Sequence, residues 1–297
     1  MITLPSFAKI NWTLEILGKR PDGYHELRTL LQTVSLADEL SFEPIEEGIE
    51  IVCDHPDVPC DATNLVYRAA ALVAEATGIR KGVRITIDKR LPVAAGIGGG
   101  SSNAATTILA LQRLWEIELA PRDLFPLGAK LGADVPFFFL GGTCLGVGRG
   151  DEVYAVPDIR AERLLLVNAG IAVPTREVYG NLPPELTNPN PAAKMPLSLE
   201  AAYAALAQHD ELPILTNDLE KTVFARHPLL AEIRQRLLLL GARGVLMSGS
   251  GSTVFAIFDS DEARFTARRE FERHGWWCEP ARALDRAEYH RLLSTTP

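Results

Sequence analysis

The stretch from Leu91 to Ala105, LPVAAGIGGGSSNAA, places Gly96, Gly98, Gly99 and Gly100 directly before Ser101, Ser102 and Asn103. Upstream, in GVRITIDKR, Val83, Ile85 and Ile87 alternate with Arg84, Thr86 and Asp88, the period of a strand. Downstream, Ala104, Ile108, Leu111 and Trp115 recur at helical spacing. The glycines therefore sit where a strand ends and a helix starts. The first turn of a helix has N–H groups without internal acceptors, and its dipole makes that end positive. Glycine lets the backbone approach an anion closely and take φ > 0. Serine hydroxyls add donors or cap the helix. Such a junction suits a phosphate, although adjacent glycines can also form a plain flexible turn.

The bulk properties narrow the field. A chain of 297 residues makes one large domain or two ordinary ones. No apolar run approaches a membrane span. MITLPSFAKINW has neither the basic-then-apolar pattern of a secretory signal nor the composition of a transit peptide, so a cytoplasmic setting is expected. A net charge of −8 argues against nucleic acid or an anionic membrane as partner, but not against a nucleotide. Cys53 and Cys60 flank His55 at a spacing that matches no usual zinc pattern, so no metal-ligating residues are assigned and reduced thiols are expected.

Along the chain, FAKINWTLEIL (7–17) alternates, with Ala8, Ile10, Trp12, Leu14 and Ile16 on one face and Lys9, Asn11, Thr13 and Glu15 on the other. The polar face could line a site or be solvated. Pro21-Asp22-Gly23 is turn chemistry leading into Tyr24 and His25, and residues 28–36 and 38–53 read as further strands. TNLVYRAAALVAEATG reads as a helix capped by Thr63 or Asn64, with Leu65, Ala69, Leu72 and Ala76 as its buried stripe and Gly78 as its stop. A second helix is predicted from Pro121 to Leu131. Asp134 then stands at a predicted helix-to-strand corner before Phe137-Phe138-Phe139, where it either caps backbone amides or faces a cleft. A glycine-punctuated hairpin follows, and a domain edge is placed near 156–163. Beyond it come a strand (163–170), a Pro/Asn-rich exposed loop (181–196), helices at 197–208, 217–227 and 228–242, and a glycine-turned strand pair in GVLMSGSGSTVFAIF. A helix (261–275) and a strand (276–284) close the pattern. That order is the order of a ferredoxin-like sandwich.

The loop is neither a Walker loop, which needs Gly-Lys-Ser/Thr, nor a Rossmann fingerprint, which needs a glycine where Ser101 stands. Pro92-x3-Gly96-x-Gly98-Gly99-Gly100-Ser101-Ser102-x-Ala104-Ala105 instead resembles the phosphate loop of the GHMP kinases. So do AKINWTLEILGKRPDGYHEL, LGADVPFF and GVLMSGSGSTVFAIF, which together with TNLVYRAA and NDLE span nearly the whole chain. Arg20-Pro-Asp-Gly-Tyr-His25 resembles the branch that phosphorylates a cytidine diphosphate-linked methylerythritol.

The resemblance implies an α+β fold of two domains. Residues 1–158 would form a ribosomal-protein-S5-like α/β domain, and residues 159–297 a ferredoxin-like α/β sandwich. It implies transfer of the γ-phosphoryl of ATP to an alcohol, with Mg²⁺ accompanying the phosphates. Asp134 would accept the hydroxyl proton, and Lys9 would pair with it. The ATP phosphates would lie along Pro92, Val93, Ala94, Ala95, Gly96, Ile97, Gly98, Gly99, Gly100, Ser101, Ser102 and Asn103, with the adenine near Asn64 and Leu65. Some relatives carry glycine at the positions of Ala94 and Ala95. Tyr24, His25 and Tyr179 would hold the cytidine, Asn11 the substrate side and Thr175 the cytidine side. The expected partner is a small molecule, and the expected state a monomer or weak homodimer. A GHMP kinase for another substrate (sugar, homoserine or mevalonate) and a non-catalytic binding protein on this scaffold are the alternatives.

Overall fold

The computed structural model describes residues 1–188 and 215–294. The helix expected at 197–208 and the second half of the 181–196 loop (189–196) lie outside those residues; within the first half, 184–187 form a short helical turn. Strands β1 (Ile2–Lys19) and β2 (His25–Ile45) form a long antiparallel hairpin closed by the Pro21–Gly23 turn. The two strands expected at 28–36 and 38–53 are therefore one long strand followed by short β3 (Ile49–Val52). β2 serves two partners on one edge. Its second half pairs with β4 (Gly82–Asp88), and its first half with β5 (Thr143–Gly148). With β6 (Glu152–Ala155) and β8 (Thr216–Asn217), these make a seven-stranded sheet among the described residues.

Helices α1 (Leu65–Thr77), α2 (Gly99–Leu114) and α3 (Pro121–Leu131) cover one face of that sheet. Asn64 caps α1 and left-handed Gly78 ends it, but the buried stripe is Val66, Ala69, Ala70 and Val73. Leu65 and Leu72 are half-buried and Ala76 is exposed, so the helix is rolled by about one residue from the expected orientation. α3 has the expected bounds. Residues 137–140 are a short helix, α4, not the start of a strand. Pro136 precedes its first turn, and the left-handed Gly141 ends it before β5 begins.

The second sheet has the order β11 (Trp277–Ala281), β7 (Leu164–Asn168), β10 (Val254–Ile257), β9 (Gly244–Met247), all antiparallel, as a ferredoxin-like sandwich requires. Every residue of β7 is buried because both faces of this sheet are covered. Leu165 and Val167 face α8 (Pro228–Leu239) and α9 (Asp261–Glu272); Leu164 and Leu166 face Ile10 and Trp12 of β1. Trp12 meets Phe255 edge-on at 5.5 Å. Short helices α5 (Thr175–Gly180) and α6 (Pro184–Thr187) follow β7, and another, α7 (Glu220–Arg226), links β8 to α8. The sequence reading did not anticipate the last helix, α10 (Arg286–Ser294). Its start carries a capping pattern, with Asp285 accepting from the Glu288 amide at 2.7 Å.

Asn217, on the strand that pairs with β1, fixes that edge of the N-terminal sheet to the end of β9 at a buried point. Its side-chain amide donates to the carbonyls of Met247 and Gly249, each at 2.8 Å, and accepts from the Leu219 amide at 2.9 Å. Asn217→Ala leaves those groups unpaired, and chemical denaturation should show a loss of about 2–4 kcal/mol; a change under about 0.5 kcal/mol would remove Asn217 from this role.

Candidate active site

At Lys9 and Asn11 the polar face of β1 is buried, not solvated, with exposures of 3% and 2%, while Thr13 and Glu15 are half-buried. The β1–β2 register slips between Phe7 and Lys9 and again between Asn11 and Thr13, so bulges flank these two residues and re-aim them. The ammonium of Lys9 donates to Asn11 Oδ1 at 2.7 Å and lies 3.4 Å from Asp134 Oδ2. Asn11 Nδ2 in turn donates to Thr29 Oγ1, whose hydroxyl donates to the Thr13 carbonyl. A buried lysine needs such partners.

Two glycine loops pack backbone to backbone around Lys9. Its amide donates to the Ile97 carbonyl at 2.9 Å. Gly96 has φ +76°, and a Cβ there would stand 2.3 Å from the Ser248 carbonyl oxygen; at Gly98, φ +72°, it would stand 2.9 Å from Lys9 Cγ. Gly249, φ +56°, would bring a Cβ within 3.2 Å of Lys9 Nζ. Ser248 Oγ donates to the Gly96 carbonyl at 3.0 Å, and the Thr253 amide to the Ala95 carbonyl at 3.1 Å. From the sequence the 248–252 loop reads as a strand turn within a block that resembles the family; its five alternating serines and glycines are the signal that could have placed it here.

α2 starts at Gly99 with Gly98 as N-cap, so no side chain caps it, and its first turn carries no acid. The amides of Gly99, Gly100 and Ser101 open into a cleft of about 1240 Å³. Pro92, Val93, Ala94, Ala95, Gly96 and Asn103 also line it; Ile97 and Ser102 do not. Ile97 is core, and Ser102, one turn into the helix, points inward with its hydroxyl 2.8 Å from Ser6 Oγ. Ser6 Oγ also donates to Asn103 Oδ1. Ala94 holds φ +52°, a conformation that favours glycine. Lys89, missed in the sequence, lines the cleft beside Gly99, held by the fully buried Asp38 at 2.7 Å. Asn64 and Leu65 line the cleft too, but the Asn64 side chain is committed, accepting from Val66 N and donating to the Pro59 carbonyl.

Tyr24, His25, Thr175 and Tyr179 line the other end. Tyr24 is exposed, with Arg149 Cζ 5.1 Å from its ring centroid. Arg149 was another residue missed. The His25 and Tyr179 rings lie 5.4 Å apart at 33°. Nε2 of His25 is buried without a hydrogen-bond partner. Thr175 Oγ1 and Ser250 Oγ are 2.8 Å apart. Burial, and then the charge of Asp134, push the Tyr179 phenol upward. Burial, and secondarily the Lys19 charge, hold His25 below its usual 6.5.

Among the described residues, no group of three His, Cys, Asp or Glu is placed to hold a metal ion, and no helix is long and apolar enough to cross a membrane. The family model for the GHMP kinases N terminal domain matches residues 64–142, and that for GHMP kinases C terminal matches residues 191–275. The chain is 43% identical over 279 residues to a 4-diphosphocytidyl-2-C-methyl-D-erythritol kinase of Citrifermentans bemidjiense, covering 93% of this chain and 97% of that one. It is 39% identical to one from Geobacter sulfurreducens, covering 95% and 99%. A solved 4-(cytidine 5'-diphospho)-2C-methyl-D-erythritol kinase superposes with a TM-score of 0.80 at 39% identity, over 95% of this chain and 98% of that one. A homoserine kinase from Cytophaga hutchinsonii shares the fold at a TM-score of 0.68 and 19% identity, over 95% of each chain.

Two expectations follow. Gly96→Ala forces one loop off the other, and calorimetry should show ATP affinity down by about tenfold or more, since small displacements at such a site are costly; unchanged affinity would contradict the packing. The unfolded chain takes up the His25 proton near pH 6.5, while the folded chain resists it until lower pH. Stability from the neutral ring is therefore complete above 6.5 and declines as pH falls below it. Between about pH 7.5 and about pH 5.5, His25→Gln should lose less stability than the unaltered protein, measured by urea unfolding; equal losses would contradict the shift.

Proposed function

The chain belongs to the GHMP kinase family, and from that premise we propose that it transfers the γ-phosphoryl of ATP to the 2-hydroxyl of 4-diphosphocytidyl-2-C-methyl-D-erythritol, a step in non-mevalonate isoprenoid precursor synthesis. The observation that carries the reading is the 3.4 Å contact between Lys9 Nζ and Asp134 Oδ2 in the cleft that the amide end of α2 opens into. The full-length relatives bearing that name support the choice of acceptor.

Asp134 orients the acceptor alcohol and takes its proton as the new O–P bond forms and the bond to ADP breaks. Lys9 keeps that carboxylate paired and offsets charge developing on the acceptor oxygen. The triphosphate lies along Pro92–Gly100 and Ser101, with the adenine towards Asn64 and Leu65 and Lys89 adding positive charge nearby. At the other end the cytosine stacks on Tyr24 and Tyr179, and the unpartnered His25 nitrogen meets its polar edge. Asn11 and Thr175 face the substrate. The cleft exceeds the roughly 300–1,000 Å³ of a single-ligand pocket, which suits two nucleotide-bearing molecules.

Mg²⁺ fits here as a companion of the phosphates, not in a protein cage. Asp134 and the Ser101 hydroxyl are among the oxygens lining the cleft and would be the ones to touch it, with phosphate and water filling the rest. When bound it neutralises phosphate charge. Both halves of one chain line the cleft, so a monomer or a weakly paired dimer would suffice. A cytoplasmic setting matches a reaction that consumes ATP.

Tyr24-His25 favours this acceptor over sugars, homoserine or mevalonate, which have no base to stack. The Lys9–Asp134 pair favours an enzyme over a binding protein. In a phosphoryl-transfer assay the cytidine-bearing substrate should be turned over, and mevalonate, homoserine and galactose should not. Preference for any of those three would overturn the reading. Asp134→Asn should cut kcat by roughly 10²–10⁴-fold with ATP binding retained; substantial residual turnover would remove Asp134 from its role. Tyr24→Ala should raise KM for the cytidine substrate by about 5- to 150-fold and leave KM for ATP alone; an equal effect on both would count against stacking.

A further inference from the structure

We propose that Tyr289, on the unanticipated C-terminal helix, is a positioning residue for the phosphoryl-transfer centre, acting through the backbone carbonyl of Phe138. This rests on the assignment of the chemistry to Lys9 and Asp134.

Tyr289 is 1% exposed, and its hydroxyl donates to the Phe138 carbonyl at 2.5 Å. α4 is one turn long, so the carbonyls at its end have no intrahelical donor, and the Phe138 oxygen is satisfied from another element. Phe138 follows Asp134 by one helical turn, and its amide donates to the Val135 carbonyl, within the turn that carries Asp134. The Phe138 ring lies 3.0 Å from where a Gly98 Cβ would stand, and Lys9 Cγ lies 2.9 Å from that same point. One phenylalanine therefore touches the phosphate loop, lies beside the stem of Lys9 and continues the segment of Asp134.

Tyr289 also fills the space next to Gly141, where an added Cβ would stand 2.1 Å from its ring. The chain around it is bolted to the N-terminal sheet. The Leu284 amide donates to the Thr33 carbonyl at 2.9 Å, the Arg286 amide to Asp158 Oδ2 at 3.0 Å, and the Arg286 guanidinium to the Thr143 carbonyl at 2.6 Å. Burial pushes the Tyr289 phenol upward, so it remains a donor throughout the range in which the enzyme would be assayed. A rigid strut thus reaches α4 from the far end of the chain.

The test compares Tyr289→Phe, which keeps the ring and deletes only the donor, with Leu293→Ala, which thins the buried cluster of Phe7, Leu284 and Tyr289 four residues on but keeps the donor and does not line the cleft. kcat and both KM values are measured in the full-length protein well below each melting midpoint. Tyr289→Phe should lower kcat by about tenfold with both KM values within about twofold of the unaltered protein, while Leu293→Ala keeps kcat. An unchanged kcat in Tyr289→Phe, whatever its melting temperature, would overturn the proposal. So would an equal kcat loss in Leu293→Ala, or a rise in KM for ATP that accounts for the whole effect. Should Tyr289→Phe behave like the unaltered enzyme while Asp134→Asn is inactive, the strut fails and the function stands. Absence of turnover in the unaltered protein is a failure of the function itself.

Discussion

Everything in the cleft depends on how closely backbones approach one another around Lys9. At Gly96, Gly98 and Gly249 the space a methyl group would need is taken by carbonyl oxygens, by the lysine stem or by the ammonium itself, and all three hold left-handed φ values. The two glycine loops come from opposite halves of the chain. Each closes one side of a slot in which a buried cation is met by Asn11 on one side and Asp134 on the other. A residue larger than glycine at these points would hold the loops apart and let water between them.

The fold makes that contact durable by giving the halves a shared core. β7 is an apolar run buried on both faces, with alternate side chains going to the helices and to Trp12 and Ile10 of β1. Thr216 and Asn217 extend the N-terminal sheet as a parallel edge beside β1, so the second half also hydrogen-bonds with the first. The start of α2, the Asp134 turn and the 248–252 loop are consequently held against one shared core. Preorganisation of that kind is where phosphoryl transfer finds most of its rate, since the protein supplies position and charge more than covalent chemistry.

Features set by local chemistry were legible in the sequence. Turn residues, the Pro121 helix start, the Gly78 stop and the strand–glycine–helix junction all act within a few residues, and the structure has them where the pattern put them. The pairing of Lys9 with Asp134 came from resemblance, since nothing in spacing alone brings residues 9 and 134 together. What tertiary packing decides was harder to read. Alternation in β1 identified a polar face but could not tell solvent from a covering domain, and it missed the bulges that turn Lys9 and Asn11 into the cleft. The stripe of α1 was off by about one residue because its roll is set by α2 and the sheet. The aromatic run at 137–139 has strand-like composition, yet it folds as a helical turn between Pro136 and Gly141. Ser102 belongs to the loop by motif, but helical geometry sends its side chain inward. Lys89 and Arg149 enter the cleft from segments whose sequences carry no mark of it, whereas Ser250 comes from a loop whose serine–glycine alternation was the only mark.

The central claim is that one cleft presents helix-end amides to a triphosphate and the Lys9–Asp134 pair to an acceptor alcohol. A crystal structure with a non-hydrolysable ATP analogue and the cytidine-bearing substrate tests it most directly. The γ-phosphate should rest against the amides of Gly99, Gly100 and Ser101, with the acceptor hydroxyl within about 3 Å of an Asp134 carboxylate oxygen. A triphosphate bound away from those amides, or an acceptor hydroxyl out of reach of Asp134 with both ligands in place, would contradict the account.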